Sequence, residues 1–350
     1  GCLGLPSRDI VLTVNPEPVV SPGLDNTVCS REIAGIQLNT NGTSAAAASY
    51  RLISVNVPGT ITADPANAVP GGFVAGAGGI NLIRNDKYIN QTANPVVVTY
   101  EVQAMSLLNC DGAAEFIDLT IDPEPILTPG VVASCSDVAS GVILAGGTVA
   151  ISQYELTGIN KPSALIAAPG NAILGQTYLT NNFLANDAYT NTTFGPLNVV
   201  YSIIPISPAG CRGVPQTLTY TINPAPAVAS LSAIVCSEDA TNITLREAPG
   251  SAVPDPNEYI IDNIIIQAGL IRTAGNATVP RSSVSDTDIL GDRFRNPTNG
   301  ALTVTYQVRA QTAAGCISPV RDIVLTVEPI IRVNDPVDVS ICSGSATSIT

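Results

Sequence analysis

The sequence predicts an all-β chain made of tandem β-sandwich domains in a linear array, and three observations carry that prediction. Cysteine recurs with a domain-sized period: Cys29, Cys135, Cys236 and Cys342 each open a Cys-Ser motif, at steps of 106, 101 and 106 residues, and Cys2, Cys110, Cys211 and Cys316 form a second set at steps of 108, 101 and 105. Strand-like segments with a period of two recur in the same places. The composition, with 45% hydrophobic and 12% charged residues, 27 Pro and 29 Gly, suits short strands joined by many turns. A period near 100 residues is the size of one small domain.

Aligned on the second cysteines, Val96 to Val102, Leu197 to Ile203 and Leu302 to Val308 alternate apolar and polar residues. Val96, Val98, Tyr100 and Val102 are expected to face a core and Val97, Thr99 and Glu101 the outside, as in a half-buried antiparallel strand. Past the cysteine loop a second strand follows: Ile10 to Val14, Ile117 to Ile121, Leu218 to Ile222 and Ile323 to Val327. Each pair reads as a hairpin.

Every second strand runs into a proline clamp: Asn15-Pro16-Glu17-Pro18, Asp122-Pro123-Glu124-Pro125, Asn223-Pro224-Ala225-Pro226 and, weakened, Glu328-Pro329-Ile330-Ile331. Proline ends a ladder by removing a donor and fixing φ, so these are short, stiff linkers. The boundaries belong there. Residues 1–18 read as the C-terminal strand of a preceding repeat, 19–125, 126–226 and 227–331 as three immunoglobulin-like repeats, and 332–350 as the N-terminal strands of a following one. The chain thus reads as an interior window of a longer array.

A second motif precedes each hairpin at the spacing Asp-x-Tyr/Phe-x-Asn: Asp86 and Asn90, Asp187 and Asn191, Asp292 and Asn296. Their oxygens are candidate ligands for Ca²⁺, which takes six to eight oxygen donors. Set against this is a structural role, in which the ring anchors a connection between sheets and the Asp and Asn satisfy turn backbone. Two donors per repeat favour the structural role, and no cofactor is expected. Asn-x-Thr sequons, Asn90 and Asn191 among them, are frequent enough in this composition to arise by chance.

In a seven-stranded immunoglobulin-like sandwich the loop between the last two strands lies at the pole where the chain enters. With Cys29 placed at that pole and Cys110 in that loop, the expected bridges are Cys29–Cys110, Cys135–Cys211 and Cys236–Cys316. Cys2 and Cys342 are then left to pair outside the window. Pairing Cys110 with Cys135 would span most of a domain, whereas bridged Cα atoms lie within about 7 Å. Persistent structural disulfides imply an oxidising compartment, so a secreted, cell-surface location is expected.

The formal net charge of −13 argues against nucleic acid or anionic lipid as partner, since both need clustered Lys and Arg. No segment reaches the roughly 18 apolar residues of a membrane span, and no direct membrane insertion is expected. The chain has no His, which excludes Ser-His-Asp and Cys-His nucleophile systems and His-liganded zinc. No acidic pair stands out for hydrolysis, so the chain is not expected to be an enzyme and no catalytic residue is assigned.

The Cys-Ser motifs, the Val-Thr-Tyr strand, the Gly210-Cys211 and Gly315-Cys316 loops and the Thr-Val/Ile-Asn-Pro ending together resemble the PKD-like, immunoglobulin-like repeats of large bacterial surface adhesins. These include gliding-motility adhesins exported by the type IX secretion system. Where members carry Tyr-x-Trp in a central strand, this chain has Tyr50-Arg51-Leu52, Tyr154-Glu155-Leu156 and Tyr259-Ile260-Ile261. The resemblance implies secretion and a spacer or adhesive role, and it supplies no active-site residues.

Two function classes follow. One is a disulfide-stapled rigid stalk or extracellular filament that bundles laterally as a homo-oligomer, with cell-surface glycans or substratum contacted through domains outside the window. The other is an array of glycan- or ligand-binding modules. Sugar platforms use exposed aromatic rings, and with no Trp and 4% aromatics the stalk is the favoured reading.

Overall fold

The computed structural model describes residues 9–128, 130–147, 149–251, 258–330 and 342–344. Over these the chain is nearly all-β, with three repeated sandwiches, here called beads. Bead 1 contains β1 (Asn26–Cys29), β2 (Ala47–Asn56), β3 (Thr62–Ala63), β4 (Val74–Ala75), a single-turn helix α1 (Gly76–Ile80), β5 (Tyr88–Ile89), β6 (Val96–Ser106) and β7 (Asp111–Asp122). Bead 2 contains β8 (Val131–Cys135), β9 (Gln153–Asn160), β10 (Leu165–Ala167), β11 (Thr177–Tyr178), β12 (Tyr189–Asn191), β13 (Leu197–Ile206) and β14 (Gln216–Asn223). Bead 3 contains β15 (Ser232–Cys236), β16 (Tyr259–Ile266), β17 (Ile271–Arg272), β18 (Arg281–Val284), β19 (Phe294–Arg295), β20 (Leu302–Ala310) and β21 (Arg321–Glu328).

The three main sheets share one order: β1-β7-β6-β2-β4, β8-β14-β13-β9-β11 and β15-β21-β20-β16-β18. The central hairpins are antiparallel, Tyr100 standing opposite Ile117 and Tyr201 opposite Leu218. The facing layer is less regular. In bead 1 residues 33–38 run beside 80–87 through Ala34 N–Asp86 O at 2.8 Å and Leu38 N–Ile80 O at 2.9 Å, and β3 pairs with β5.

Alternation puts the core where the period of two places it. Val98, Tyr100, Val102 and Ala104 of β6 are fully buried, as are Ile117, Leu119 and Ile121 of β7. Each buried Val, Leu or Ile side chain contributes about 1.5–3 kcal/mol. Leu52, Leu156 and Ile261, two residues after the central-strand tyrosines, are buried in the same cores. They fill the position of the absent Trp.

Residues 9–17 form no strand, and Ile10, Val11 and Leu12 are exposed. This differs from the strand expected over Ile10 to Val14: among the described residues no strand stands beside this segment to form a ladder with it. Residues 1–8 and most of 332–350 lie outside the described residues, so the expectations for Cys2 and for the following repeat are not addressed there.

The first strand of each bead decides the direction of everything at the junctions. β1 pairs with β7 in parallel, Cys29 standing opposite Asp122; β8 pairs likewise with β14, Cys135 opposite Asn223, and β15 with β21, Cys236 opposite Glu328. The first-set cysteines therefore lie at the downstream pole, where the chain leaves the bead. The hairpin loops that carry Cys110, Cys211 and Cys316 lie at the upstream pole.

Candidate functional site

Two disulfides close across the junctions between beads, Cys29–Cys211 and Cys135–Cys316, with Cα separations of 5.3 and 5.5 Å. This corrects the within-bead pairing Cys29–Cys110, Cys135–Cys211 and Cys236–Cys316. Cys29 faces Asp122 and Cys110 precedes Asp111, so the two stand about 11 residues apart along β7, roughly 35 Å at strand rise. That is several times the reach of a bridge. Cys110, Cys236 and Cys342 are free.

Each staple joins the downstream pole of one bead to the upstream hairpin loop of the next. The cysteine at the downstream pole sits before a tight turn with a positive-φ residue two positions on, Arg31 (71°), Asp137 (65°) or Glu238 (72°). That residue donates its N–H to the strand of the Asp-x-Tyr/Phe-x-Asn motif: Arg31 to Tyr88 O at 2.7 Å, Asp137 to Tyr189 O at 2.9 Å, Glu238 to Phe294 O at 2.8 Å. The Ser of each Cys-Ser pair accepts from the motif's Asn backbone, Ser30 from Asn90 at 2.9 Å, Ser136 from Asn191 at 2.9 Å and Ser237 from Asn296 at 2.8 Å. The two sequence motifs are one structural unit.

The linkers are packed rather than free. Pro123, Glu124 and Pro125 are buried between beads 1 and 2, and a Cβ on Gly213 of bead 2 would sit 2.1 Å from the Pro125 carbonyl oxygen. Glu124 is fully buried and takes a two-point contact from Arg31, at 2.6 and 3.2 Å, and a bond from Gln91 at 2.9 Å. Burial pushes its carboxyl up, but the bonds from Arg31, Gln91 and Ser30 and the guanidinium charge outweigh that and hold it below its ordinary value.

The candidate Ca²⁺ ligands are turned inward and occupied. Asp86 accepts from Ala68 N at 2.8 Å and Tyr100 OH at 3.0 Å, Asp187 from Ala172 N at 2.8 Å and Tyr201 OH at 2.6 Å, and Asp292 from Ala277 N and Tyr306 OH, both at 2.8 Å. Asn90 donates to Asn94 O and Ile121 O and accepts from the backbone N–H and hydroxyl of Thr92. Asn191 and Asn296 repeat that pattern with Thr193 and Thr298. In the Asn-x-Thr sequences at Asn90 and Asn191 the Asn side chain is thus buried and closes a turn onto the Thr. Among the described residues no group of three His, Cys, Asp or Glu could hold a metal ion.

Burial pushes the Asp86, Asp187 and Asp292 carboxyls above their ordinary 3.8, against the opposing pull of the backbone N–H and the Tyr hydroxyl. It raises the Tyr100, Tyr201 and Tyr306 hydroxyls as well. A carboxyl raised by folding contributes stability that is complete below the unfolded value and lost as pH rises through the folded one. Glu124 has the opposite sign: its contribution is present above 4.5 and lost as pH falls through its lowered folded value. The melting temperature is therefore expected to rise on going from neutral to mildly acidic pH. Asp86→Asn should flatten that rise for bead 1, because the amide keeps the Ala68 bond and donates to Tyr100, whose own proton passes to the Tyr88 hydroxyl 2.9 Å away. Calorimetry across that pH range checks this; an unchanged slope in Asp86→Asn would contradict it.

Residues 154–226, from β9 to the second linker, match the family model described as the PKD-like domain. No curated protein sequence matches the chain. Among solved structures the chain is similar to Drosophila N-cadherin EC1-4, at 11% identity over 90% of this chain and 76% of that one with a TM-score of 0.24. It is similar also to the chicken CNTN1 FN1-FN3 domains, at 10% identity over 87% and 99% with a TM-score of 0.24, and to the fibronectin(III)-like modules of Clostridium thermocellum CbhA, at 9% over 59% and 94% with a TM-score of 0.21. Bead 2 matches the PKD-like description directly, and beads 1 and 3 share its sheet order, Cys-Ser turn and buried Asp-Tyr-Asn cluster. The chain is an array of tandem immunoglobulin-like β-sandwiches, of which bead 2 carries the match to the PKD-like domain.

Proposed function

We propose that this chain is a load-bearing segment of an extracellular stalk or filament, in which non-catalytic beads are held in line by staples between neighbours. The single observation that carries the reading is that both disulfides join consecutive beads. A bridge inside a bead would stabilise that bead alone. A bridge across the junction adds a second covalent tie beside the linker, so bending or twisting about the linker alone is blocked.

Disulfides that persist imply an oxidising compartment, and among the described residues no helix is long and apolar enough to cross a membrane. Both fit a secreted, surface-exposed protein. The motif resemblance supports a place among large bacterial adhesins of the type IX-exported, gliding-motility kind, with lateral bundling of like chains and adhesion at other domains.

Small-angle scattering in oxidised and in reduced, alkylated protein tests the reading. The oxidised chain is expected to scatter as one stiff rod, and the reduced chain as a broader ensemble with a smaller mean length while its far-ultraviolet β signal is kept. Superimposable profiles in the two states would sink the stalk.

A further inference from the structure

Bead 2 is almost free of charge. Residues 126–226 hold five charged side chains, Asp137, Glu155, Lys161, Asp187 and Arg212, where bead 1 holds ten acidic and four basic residues and bead 3 eleven and seven. About a quarter of the residues in an ordinary domain are charged. Of the five, Asp187 is 1% exposed, Glu155 and Arg212 form an ion pair, Asp137 accepts from the Thr190 hydroxyl, and Lys161 donates to Leu165 O at 2.6 Å. Each has a partner inside the bead.

The neutrality extends over one whole surface, the outer face of strands β8, β14 and β13. There Val200 stands opposite Thr219 and Ser202 opposite Thr217, with Val131 beside Thr219. Alternation turns these side chains away from the core that Tyr201, Leu218 and Tyr220 fill. The matching pairs are Thr99–Asp118 and Glu101–Phe116 in bead 1, and Thr305–Val324 and Gln307–Asp322 in bead 3. The same fold thus carries carboxylates on this face in its two neighbours, and bead 2 has hydroxyl and methyl groups in their place.

That face is suited to being covered. Its side chains are short and mostly β-branched, so they lose little rotamer freedom. Part of its polar surface is already satisfied within the sheet, Thr221 Oγ1 donating to Asn198 Oδ1 at 2.9 Å and Thr157 Oγ1 to Ser202 O at 3.1 Å. At the rim Val131 is 80% exposed, on an edge strand that has neither the charge nor the proline that ordinarily guards one. The charge pattern also selects the occupant. Chains of net charge −13 repel one another, and bead 2 is where two of them can touch without setting like charges together.

We propose that this face of bead 2 is the lateral contact between chains, on which a second copy of this chain packs the same face about a two-fold axis. The inference rests on the stalk reading above and places its bundling on one surface.

Sedimentation velocity of the oxidised full chain, its free thiols alkylated without reduction, tests this. The chain is expected to dimerise, and more tightly as salt rises, because screening relieves the repulsion between flanking beads and leaves the neutral contact unchanged. Ser202→Glu with Thr219→Asp gives bead 2 the residues that bead 1 carries at those positions, Glu101 and Asp118, in a fold that already accepts them. It should weaken the dimer about a hundredfold, since like charges then face each other across the axis. Val131→Lys, at the exposed rim, should weaken it in the same direction. The control, Val97→Glu with Thr120→Asp on the corresponding face of bead 1, adds the same net charge and should change the dimer by less than about threefold at high salt. A chain that stays monomeric at every salt concentration would overturn the proposal, and so would a face that takes phosphatidylcholine vesicles or a neutral polysaccharide in place of a second chain. A dimer indifferent to Ser202→Glu with Thr219→Asp would place the contact elsewhere and overturn it too. The frictional ratio of the monomer, compared with that of a reduced and alkylated sample, reads the stalk separately: equal ratios would remove the stalk reading, and unequal ratios without dimers would remove only this inference.

Discussion

Pulled between residues 19 and 331 in the oxidised state, the chain is expected to reach only about a third of the contour it reaches when reduced. The two staples overlap, since Cys135 of the second lies inside the 29–211 loop of the first. Force entering at residue 19 crosses at Cys29 to Cys211, runs back through bead 2 to Cys135, and crosses again to Cys316. Only about 100 residues of that path can extend, ~340 Å at full stretch, against roughly 1,060 Å for the reduced chain. Single-molecule force spectroscopy with tags at both ends reads this directly. Removing one staple is diagnostic: Cys29→Ser should lengthen the oxidised path by only about 30 residues, ~100 Å, because the 135–316 bridge still bypasses most of the chain. Bridges within beads would instead release about 80 residues, ~270 Å, on the same substitution. A full-length contour under oxidising conditions would refute the overlapping staples outright.

The repeated sandwich fold is legible in the sequence and the cysteine pairing is not, for a physical reason. Periods report spacing along the chain, and alternation reports which residues share a face, so β6 and β7 and their cores were legible in Val98, Tyr100, Ile117 and Leu119. Neither says at which pole a strand ends. The pole of Cys29 depends on β1 lying parallel to β7, a long-range pairing that a four-residue strand with two exposed positions does not announce. The Asp-x-Tyr/Phe-x-Asn motif was visible as a repeat, but its meaning lay in partners 14 and 31 residues away, Tyr100 for Asp86 and Ile121 for Asn90. One signal was there to be used: Thr92, Thr193 and Thr298 each stand two residues after the Asn, which marks a closed turn more plainly than a cation site. The irregular layer was also partly legible, since Ala34, Ile36 and Leu38 alternate with exposed neighbours.

Asn90→Ala is expected to be the most damaging single side-chain change in bead 1, at about 3–4 kcal/mol. The side chain is fully buried and makes four bonds: its amide donates to Asn94 O at 2.9 Å and Ile121 O at 2.8 Å, and its oxygen accepts from Thr92 N at 3.0 Å and Thr92 Oγ1 at 2.7 Å. Truncation takes the Asn90 amide from the Ile121 carbonyl at the end of β7, beside the turn that carries Cys29, and the acceptor from Thr92 N–H and Oγ1; a buried polar group left without a partner costs about 1–3 kcal/mol by itself. At about 4 °C per kcal/mol for a domain of this size, the bead 1 transition should fall by ~12–16 °C, with hydrogen exchange accelerating across β6 and β7 while beads 2 and 3 keep their protection. Asn90→Asp separates geometry from volume. The carboxylate keeps the Thr92 acceptor but sets a negative oxygen against the Asn94 and Ile121 carbonyls, so at neutral pH it should cost at least as much as alanine. Protonation restores one donor, and the loss should shrink as pH falls through the raised pKa of the new carboxyl. Wild-type stability in Asn90→Ala, or an Asp variant indifferent to pH, would show that the Asn is not what ties the downstream pole together.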